Sequence, residues 1–341
     1  MQNPYSLVFG EKPKEYVSRI SQTDEVIRAF EEASQRIYMV TGVRGSGKTV
    51  FMTNVKNSFQ TSKDWEVVEL STERDMLGGL LGKLGSSDGL VQTFKSARIN
   101  LSLFGIGVEV KGEPQIVDAE VALACMLQTM KKHNKRLLVT VDEAVDNEQV
   151  REFVSVFQIF IRDELPVFLL MTGLYENIDD LQNEKNLTFL FRAPKLRLSP
   201  LSIGTMAASY RRNLGVDESE AIKMAQVTKG YSYAFQVLGY SMFKNGGNYE
   251  DSLVSLKQYL EEYVYDKIWS ELSDKDKKVV NAIAVSGSHK IKDVRELLDM
   301  ESNEFGPYKK RLLRKGVINN DRGYVSLSLP LFDEYVKENY Y

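Results

Sequence analysis

The chain has 341 residues, of which 43% are hydrophobic and 27% charged, and this composition excludes disordered, collagen-like and coiled-coil proteins. Its 44 basic and 47 acidic side chains give a net charge of −3, so any contact with nucleic acid must come from a local patch. One cysteine, Cys125, and two histidines exclude a disulfide framework and Cys- or His-rich metal sites, and they fit a reducing cytoplasm.

Short apolar runs alternate with helical patterns as far as about residue 200, which predicts a parallel sheet flanked by helices. The predicted strands have the apolar centres of strands buried on both faces, and they cover residues 36–41, 65–71, 137–141, 167–172 and 194–199. Between the second and third strands lies a Gly-rich, irregular stretch, Met76 to Gly89. After it, apolar residues alternate around Gly105 and Gly107, which predicts a β-hairpin insertion at about 98–112.

After Pro200 the pattern becomes helical, with predicted helices at 202–214, 217–228, 231–244 and 250–270. The last seventy residues predict a winged helix-turn-helix, with helices at 273–285, 290–299 and 303–315 and two short strands around a turn at 320–323. We therefore expect three domains, at 1–199, 200–270 and 271–341.

A glycine-rich loop carries the strongest chemical signal. The strand 36–41 is followed by a match to the P-loop (Walker A) motif, Gly42-Val43-Arg44-Gly45-Ser46-Gly47-Lys48-Thr49, and Val50 continues into a helix. Glycines let successive backbone N–H groups face phosphate oxygens, and the helix N-terminus adds positive charge. We expect these residues to bind the nucleotide, with Lys48 reaching the β- and γ-phosphates, Thr49 offering its hydroxyl to Mg²⁺ and Arg44 serving as a solvent-facing spacer.

An acidic pair follows the third predicted strand. Asp142 and Glu143 come directly after the run Leu137 to Val141, so a buried strand delivers them to the carboxyl edge of the sheet, where ligands bind in open α/β folds. We expect Asp142 to hold the Mg²⁺ shell and Glu143 to polarise the attacking water.

The loop, the acidic pair and the order of elements resemble the AAA+ ATPases, within the archaeal-type and STAND-like group related to Orc-type replication initiators. The resemblance runs from Asn3 to the C-terminus. It implies an α/β P-loop fold with a five-stranded parallel sheet, a helical lid and a C-terminal winged-helix domain. It also implies ATP or ADP as the bound nucleotide, and residues before the first helix, Phe9, Gly10, Tyr16 and Val17 among them, as candidates to cover the adenine.

The resemblance assigns two further site residues. Thr172, at the end of the fourth strand, occupies the place of a sensor that orients the hydrolytic water, although threonine also suits a strand end. Arg192, before the fifth strand, occupies the place of an arginine finger supplied to a neighbouring subunit, which implies a homo-oligomer; a surface ion pair or hydrophobic anchor is the alternative. The lid region Lys229 to Ala234 lacks the arginine that many family members carry there, and Arg211 or Arg212 could substitute for it.

The third helix of the C-terminal region is strongly basic. Five cations fall within seven residues: Lys309, Lys310, Arg311, Arg314 and Lys315. This helix enters the major groove in DNA-binding winged helices, so duplex DNA is one candidate partner. Leu312 and Leu313 interrupt the cluster and Glu301 and Glu304 lie at its start, so a docked protein is the other candidate partner. Two alternatives without a partner stay open: autoinhibitory packing within the chain, and a solvated charged face.

The sequence predicts a Mg²⁺-dependent ATPase whose nucleotide state repositions the lid and the winged helix. The alternative is a binding module that holds ATP or ADP without turnover and acts by docking its winged helix on a protein. We expect no membrane partner, because no apolar run approaches the roughly 18 residues that a spanning helix needs. We also expect no secretion signal.

Overall fold

A computed structural model describes residues 2–8, 12–97 and 118–340. The described chain forms two compact units. One contains residues 20–41 and 48–197, and is called the sheet unit below. The other contains the described residues up to Arg19, Gly42–Gly47 and the chain from Leu198 onwards, and is called the helical unit. The predicted hairpin insertion at 98–112, and Phe9 and Gly10, lie outside the described residues.

The sheet unit is built on five parallel strands in the order β2-β3-β4-β1-β5. Their bounds lie within three residues of the predicted ones: β1 Ile37–Thr41, β2 Trp65–Leu70, β3 Arg136–Val141, β4 Val167–Gly173 and β5 Lys195–Arg197. Every residue of β1 and β4 is buried, as expected for central strands with helices on both faces. The predicted five-stranded parallel sheet is confirmed.

Helices connect these strands and supply the rest of the sheet unit's core. They are α1 Ile20–Glu31, α2 Lys48–Gln60, α3 Met76–Gly85, α4 Asp88–Ser96, α5 Ala119–Lys132, α6 Glu148–Arg162 and α7 Tyr175–Asn183, with a 3₁₀ segment at Lys185–Arg192. The Gly-rich stretch after β2 is helical, because Asp75 caps the amide of Gly78 and Leu77, Leu80, Leu81 and Leu84 are buried at helical spacing. Cys125, half-buried, packs against the same core.

The helical unit has its own hydrophobic core. Its helices are α8 Ile203–Leu214, α9 Glu218–Val227, α10 Ser232–Lys244, α11 Tyr249–Leu260, α12 Asp266–Ser270, α13 Asp274–Val285, α14 Ile291–Leu298, α15 Ser302–Arg314 and α16 Phe332–Asn339. A single π-helical turn at Glu261–Tyr265 joins α11 to α12, where the sequence predicts one continuous helix.

The C-terminal part of the helical unit contains the elements of a winged helix. Helices α13, α14 and α15 are followed by an antiparallel hairpin, β6 Ile318–Asp321 and β7 Tyr324–Leu327. Arg322 and Gly323 form its turn with positive φ angles of 42° and 92°, the conformation that two-residue hairpin turns favour. The division into three domains stays a prediction. No helix in the described part of the chain is long and apolar enough to cross a membrane.

Candidate functional site: the phosphate loop and the Asp142 cluster

Gly42–Gly47, the part of the motif that belongs to the helical unit, forms a tight turn. Gly45 and Gly47 have φ angles of +67° and +87°, which side chains rarely tolerate, and the Ser46 amide donates to the Val43 carbonyl at 3.2 Å. The Ser46 hydroxyl is buried and has no hydrogen-bond partner among the described residues. A buried, unpartnered hydroxyl in this loop fits a site for a phosphate oxygen.

Three consecutive carbonyls of the loop are bound by three consecutive residues at the start of α10. The Tyr231 hydroxyl donates to the Arg44 carbonyl at 2.6 Å, the Ser232 hydroxyl to the Ser46 carbonyl at 2.9 Å, and the Tyr233 amide to the Gly45 carbonyl at 3.0 Å. These residues lie in the predicted lid region that lacks an arginine. The sequence motifs did not identify these residues, because the family resemblance implies a cation in this region.

Arg19 brings a cation to the same loop from the N-terminal segment. Its guanidinium donates to the carbonyl of Ser46 at 2.9 Å and to that of Ser199 at 2.8 Å, and it contacts the Ser232 hydroxyl at 3.2 Å. Arg44 points elsewhere, because its guanidinium lies 3.9 Å from the carboxylate of Glu271. The exposed Arg44 side chain agrees with the expected solvent-facing position.

In the sheet unit, Asp142 is the centre of a second cluster. It accepts hydrogen bonds from the Thr49 hydroxyl at 2.6 Å, from the Glu143 amide at 3.0 Å and from the Thr172 hydroxyl. The register explains part of this arrangement: Val141 of β3 lies opposite Met171 of β4, so Asp142, just after β3, and Thr172, within β4, lie side by side. The structure thus brings together the Thr49, Asp142 and Thr172 side chains predicted from sequence.

Glu143 has an unusual backbone conformation. Its φ is +53°, a left-handed angle that costs a residue with a side chain about 1–2 kcal/mol, and its side chain is exposed. The turn is held because the Ala144 amide donates to the Thr172 carbonyl at 2.7 Å. It also requires Gly173, where a Cβ would lie 2.9 Å from the Ala144 carbonyl. Strain of this kind, kept in a turn between two site residues, is typical of functional positions.

The remaining motif residues occupy the first turn of α2. Lys48 and Val50 are half-buried and Thr49 is exposed. In the described ranges no group of three or more His, Cys, Asp and Glu side chains could hold a metal ion. A carboxylate and a hydroxyl in contact nevertheless fit Mg²⁺, which takes hard oxygen ligands and usually completes its shell with phosphates and water.

Solved structures with a similar fold cover nearly the whole chain. A Walker-type ATPase of Pyrococcus abyssi superposes with a TM-score of 0.68, over 95% of this chain and 96% of its own, at 14% identity. The Orc2 protein of Aeropyrum pernix, described as ADPNP–ADP complexes, gives a TM-score of 0.59 over 97% and 95%, also at 14% identity. This chain has the fold of the Orc-type AAA+ ATPases. The resemblance predicted from the motifs is confirmed for the fold.

Sequence comparison finds a family that matches part of the chain. Residues 262–336 match a family described as Domain of unknown function (DUF8462), which covers the winged-helix elements. No curated protein matches the chain significantly.

Arg192 ends the 3₁₀ segment that precedes β5 of the Orc-type fold. Its side chain is exposed, and the neighbouring Phe191 is 62% exposed although it is a large apolar residue. An exposed arginine beside an exposed aromatic ring is a combination enriched in protein interfaces. Its role as a finger stays a prediction.

The basic helix is α15, and its Arg311 is engaged inside the molecule. The Arg311 guanidinium binds Asp276 of α13 through both carboxylate oxygens, with a closest distance of 2.6 Å. Asp276 is only 2% exposed, and this carboxylate raises the pKa of Arg311. Lys310 is exposed, while Lys309, Arg314 and Lys315 are half-buried. No sequence pattern indicates this pair, because Asp276 and Arg311 are 35 residues apart and Asp276 also forms a capping pair with Ser273 at the start of α13.

Proposed function

We propose that the protein is a Mg²⁺-dependent ATPase whose nucleotide state controls the conformation of its helical lid and winged helix, and so what these regions bind. One observation carries the proposal. The hydroxyl of Thr49, the last residue of a complete P-loop motif, lies 2.6 Å from the Asp142 carboxylate at the carboxyl edge of a parallel sheet. A hydroxyl and a carboxylate in this contact are the protein ligands that a nucleotide-bound Mg²⁺ takes in P-loop enzymes.

The similar Orc2 protein of Aeropyrum pernix supports the choice of nucleotide, since its structure is described as ADPNP–ADP complexes. A bound Mg²⁺ would neutralise charge on the phosphates. In the proposed mechanism the loop amides and Lys48 bind the phosphates, while Thr49 and Asp142 supply metal ligands. Glu143, exposed and directed by its left-handed turn, polarises the attacking water.

Nucleotide binding is tested by titrating the full chain with ATP, ADP and GTP, with and without Mg²⁺, in a calorimeter. Lys48→Ala should weaken binding about a hundredfold, because it removes a charge-assisted contact to the phosphates. Lys56→Ala is the matched control, since Lys56 lies on the same helix and pairs with Glu69 at 2.7 Å. Equal affinities of Lys48→Ala and wild type would refute the proposal.

A second candidate function is a module that holds its nucleotide without turnover. The hydrogen bonds from residues 231–233 to three loop carbonyls favour it, because a loop held in this way is preorganised and preorganisation strengthens binding. Nucleotide that stays with the protein through purification, together with no measurable hydrolysis, would support this second function over the first.

The winged helix has two candidate partners, duplex DNA and a protein, and a DNA titration distinguishes them. If DNA is the partner, the Lys309→Ala, Lys310→Ala double variant should bind duplex DNA at least tenfold more weakly at low salt. If wild type binds DNA no better than this variant does, DNA binding by this helix is excluded, and a docked protein is the remaining candidate partner.

A further inference from the structure

In the hydrogen bonds described above, the turn formed by Tyr231, Ser232 and Tyr233 binds carbonyl groups of the phosphate loop. Its contacts fall on residues 44, 45 and 46 without a gap. The Ser46 carbonyl has a second donor, Arg19. The loop is therefore held along the edge that carries its carbonyl groups.

Holding these carbonyls also orients N–H groups. In a trans peptide the carbonyl of one residue and the N–H of the next belong to the same plane and point in opposite directions. The three contacts therefore set the peptide groups that carry the N–H of Gly45, Ser46 and Gly47. The Ser46 N–H donates to the Val43 carbonyl. The turn at residues 231–233 therefore fixes the direction of two N–H groups for a ligand, those of Gly45 and Gly47.

Tyr231 is suited to this task by its position. A Cβ added to Gly45 would overlap the Tyr231 hydroxyl, so the ring packs directly on the loop backbone. The side chain is only 6% exposed, and burial raises the pKa of Tyr231 well above the usual range of a phenol. Burial therefore favours the protonated hydroxyl, the form that donates to the Arg44 carbonyl.

We propose that Tyr231 is a positioning residue for nucleotide phosphates: its hydroxyl holds the Arg44 carbonyl so that the loop amides face the diphosphate. Ser232 holds the Ser46 carbonyl in the same way, and Arg19 donates to that carbonyl as well. The inference rests on the proposed function, because it assumes that the loop binds phosphates. The contacts lie on the loop backbone that carries these amides, so we expect the turn to act on nucleotide binding and not on bond cleavage.

The test compares Tyr231→Phe with a matched tyrosine. Tyr210→Phe also removes a buried hydroxyl that donates to a backbone carbonyl in the same unit, that of Phe235 at 2.9 Å, which is not part of the loop. Tyr231→Phe should raise the dissociation constants for ADP and ATP about tenfold and the KM for ATP by the same factor, with kcat at saturation unchanged. Tyr210→Phe should lower the melting temperature by as much as Tyr231→Phe does. It should leave the dissociation constants and the KM unchanged.

Ser232→Ala gives a graded second measurement. Its effect should be smaller, about threefold, because Arg19 still donates to the Ser46 carbonyl. Wild type and Lys48→Ala are titrated in the same series. If wild type binds no nucleotide, the proposed function fails and this inference fails with it. If wild type binds, Lys48→Ala does not, and Tyr231→Phe matches wild type, only the positioning role is overturned. Equal losses in Tyr231→Phe and Tyr210→Phe would also overturn it.

Discussion

Asp142 accepts hydrogen bonds from the Thr49 hydroxyl, the Thr172 hydroxyl and the amide of Glu143. These contacts tie the end of β3 to the first turn of α2 and to the end of β4. Thr172 therefore does more than occupy a polar strand end, since its hydroxyl orients the carboxylate that we expect to hold the magnesium shell. A side chain that orients a ligand in this way affects activity through geometry, even without touching the nucleotide.

Replacing Thr172 by valine tests this role, because valine keeps the shape and removes the hydroxyl. Thr172→Val should lower kcat for ATP about a hundredfold while changing the affinity for nucleotide less than about threefold. Thr140→Val is the control, since the buried Thr140 hydroxyl on neighbouring β3 has no partner among the described residues. Steady-state kinetics decide the question: a Thr172→Val enzyme with the kcat of Thr140→Val would contradict the assignment.

At the scale of elements, periodicity located the five strands, α2 and the helices from α8 to α15, because the core of each unit is apolar at regular intervals. It gave no bounds for α1, α6 and α7. It missed α3 and α4, where glycines interrupt the pattern and the Asp75 cap and buried leucines outweigh them. It also missed α16, where no element was predicted although Phe332, Tyr335 and Val336 are buried. In the site, the motifs located residues adjacent in sequence, but the contacts of Arg19 and Tyr231 with the loop join residues far apart, which a single sequence does not reveal.

The ion pair between Asp276 of α13 and Arg311 of α15 stabilises the winged helix. Arg311→Met would leave the Asp276 carboxylate buried without its cation, which should lower the free energy of unfolding by about 3 kcal/mol. Lys310→Met, on the same helix but exposed, should change it by less than about 0.5 kcal/mol. Urea unfolding followed by the fluorescence of Trp269, in a Trp65→Phe background, measures the difference. Equal stability of the two variants would show that the pair contributes nothing.

At the scale of the whole molecule, the open question is whether a second copy completes the site. We propose that Arg192, exposed beside the exposed Phe191, reaches the nucleotide of a neighbouring subunit. If a neighbouring subunit supplies this arginine, ATPase activity per molecule rises with protein concentration. Arg192 and Glu143 of one active site then belong to two different chains.

Complementation tests this arrangement directly. Arg192→Ala and Glu143→Gln should each hydrolyse ATP at least about a hundredfold more slowly than wild type. An equal mixture should regain part of the activity, because the Glu143→Gln chain supplies Arg192 to a chain that keeps Glu143. Arg162→Ala, an exposed arginine on α6, serves as the control and should retain wild-type activity. A mixture as inactive as its components would argue against a finger supplied in trans.

The most direct test of the account is steady-state ATP hydrolysis by wild type and Glu143→Gln at saturating Mg²⁺ and ATP. Glu152→Gln serves as the control, because Glu152 is an exposed acid on α6. The account predicts that Glu143→Gln binds ATP within about threefold of wild type and turns it over at least about a hundredfold more slowly, since only the group that polarises water is changed. Hydrolysis by Glu143→Gln at the wild-type rate would contradict it.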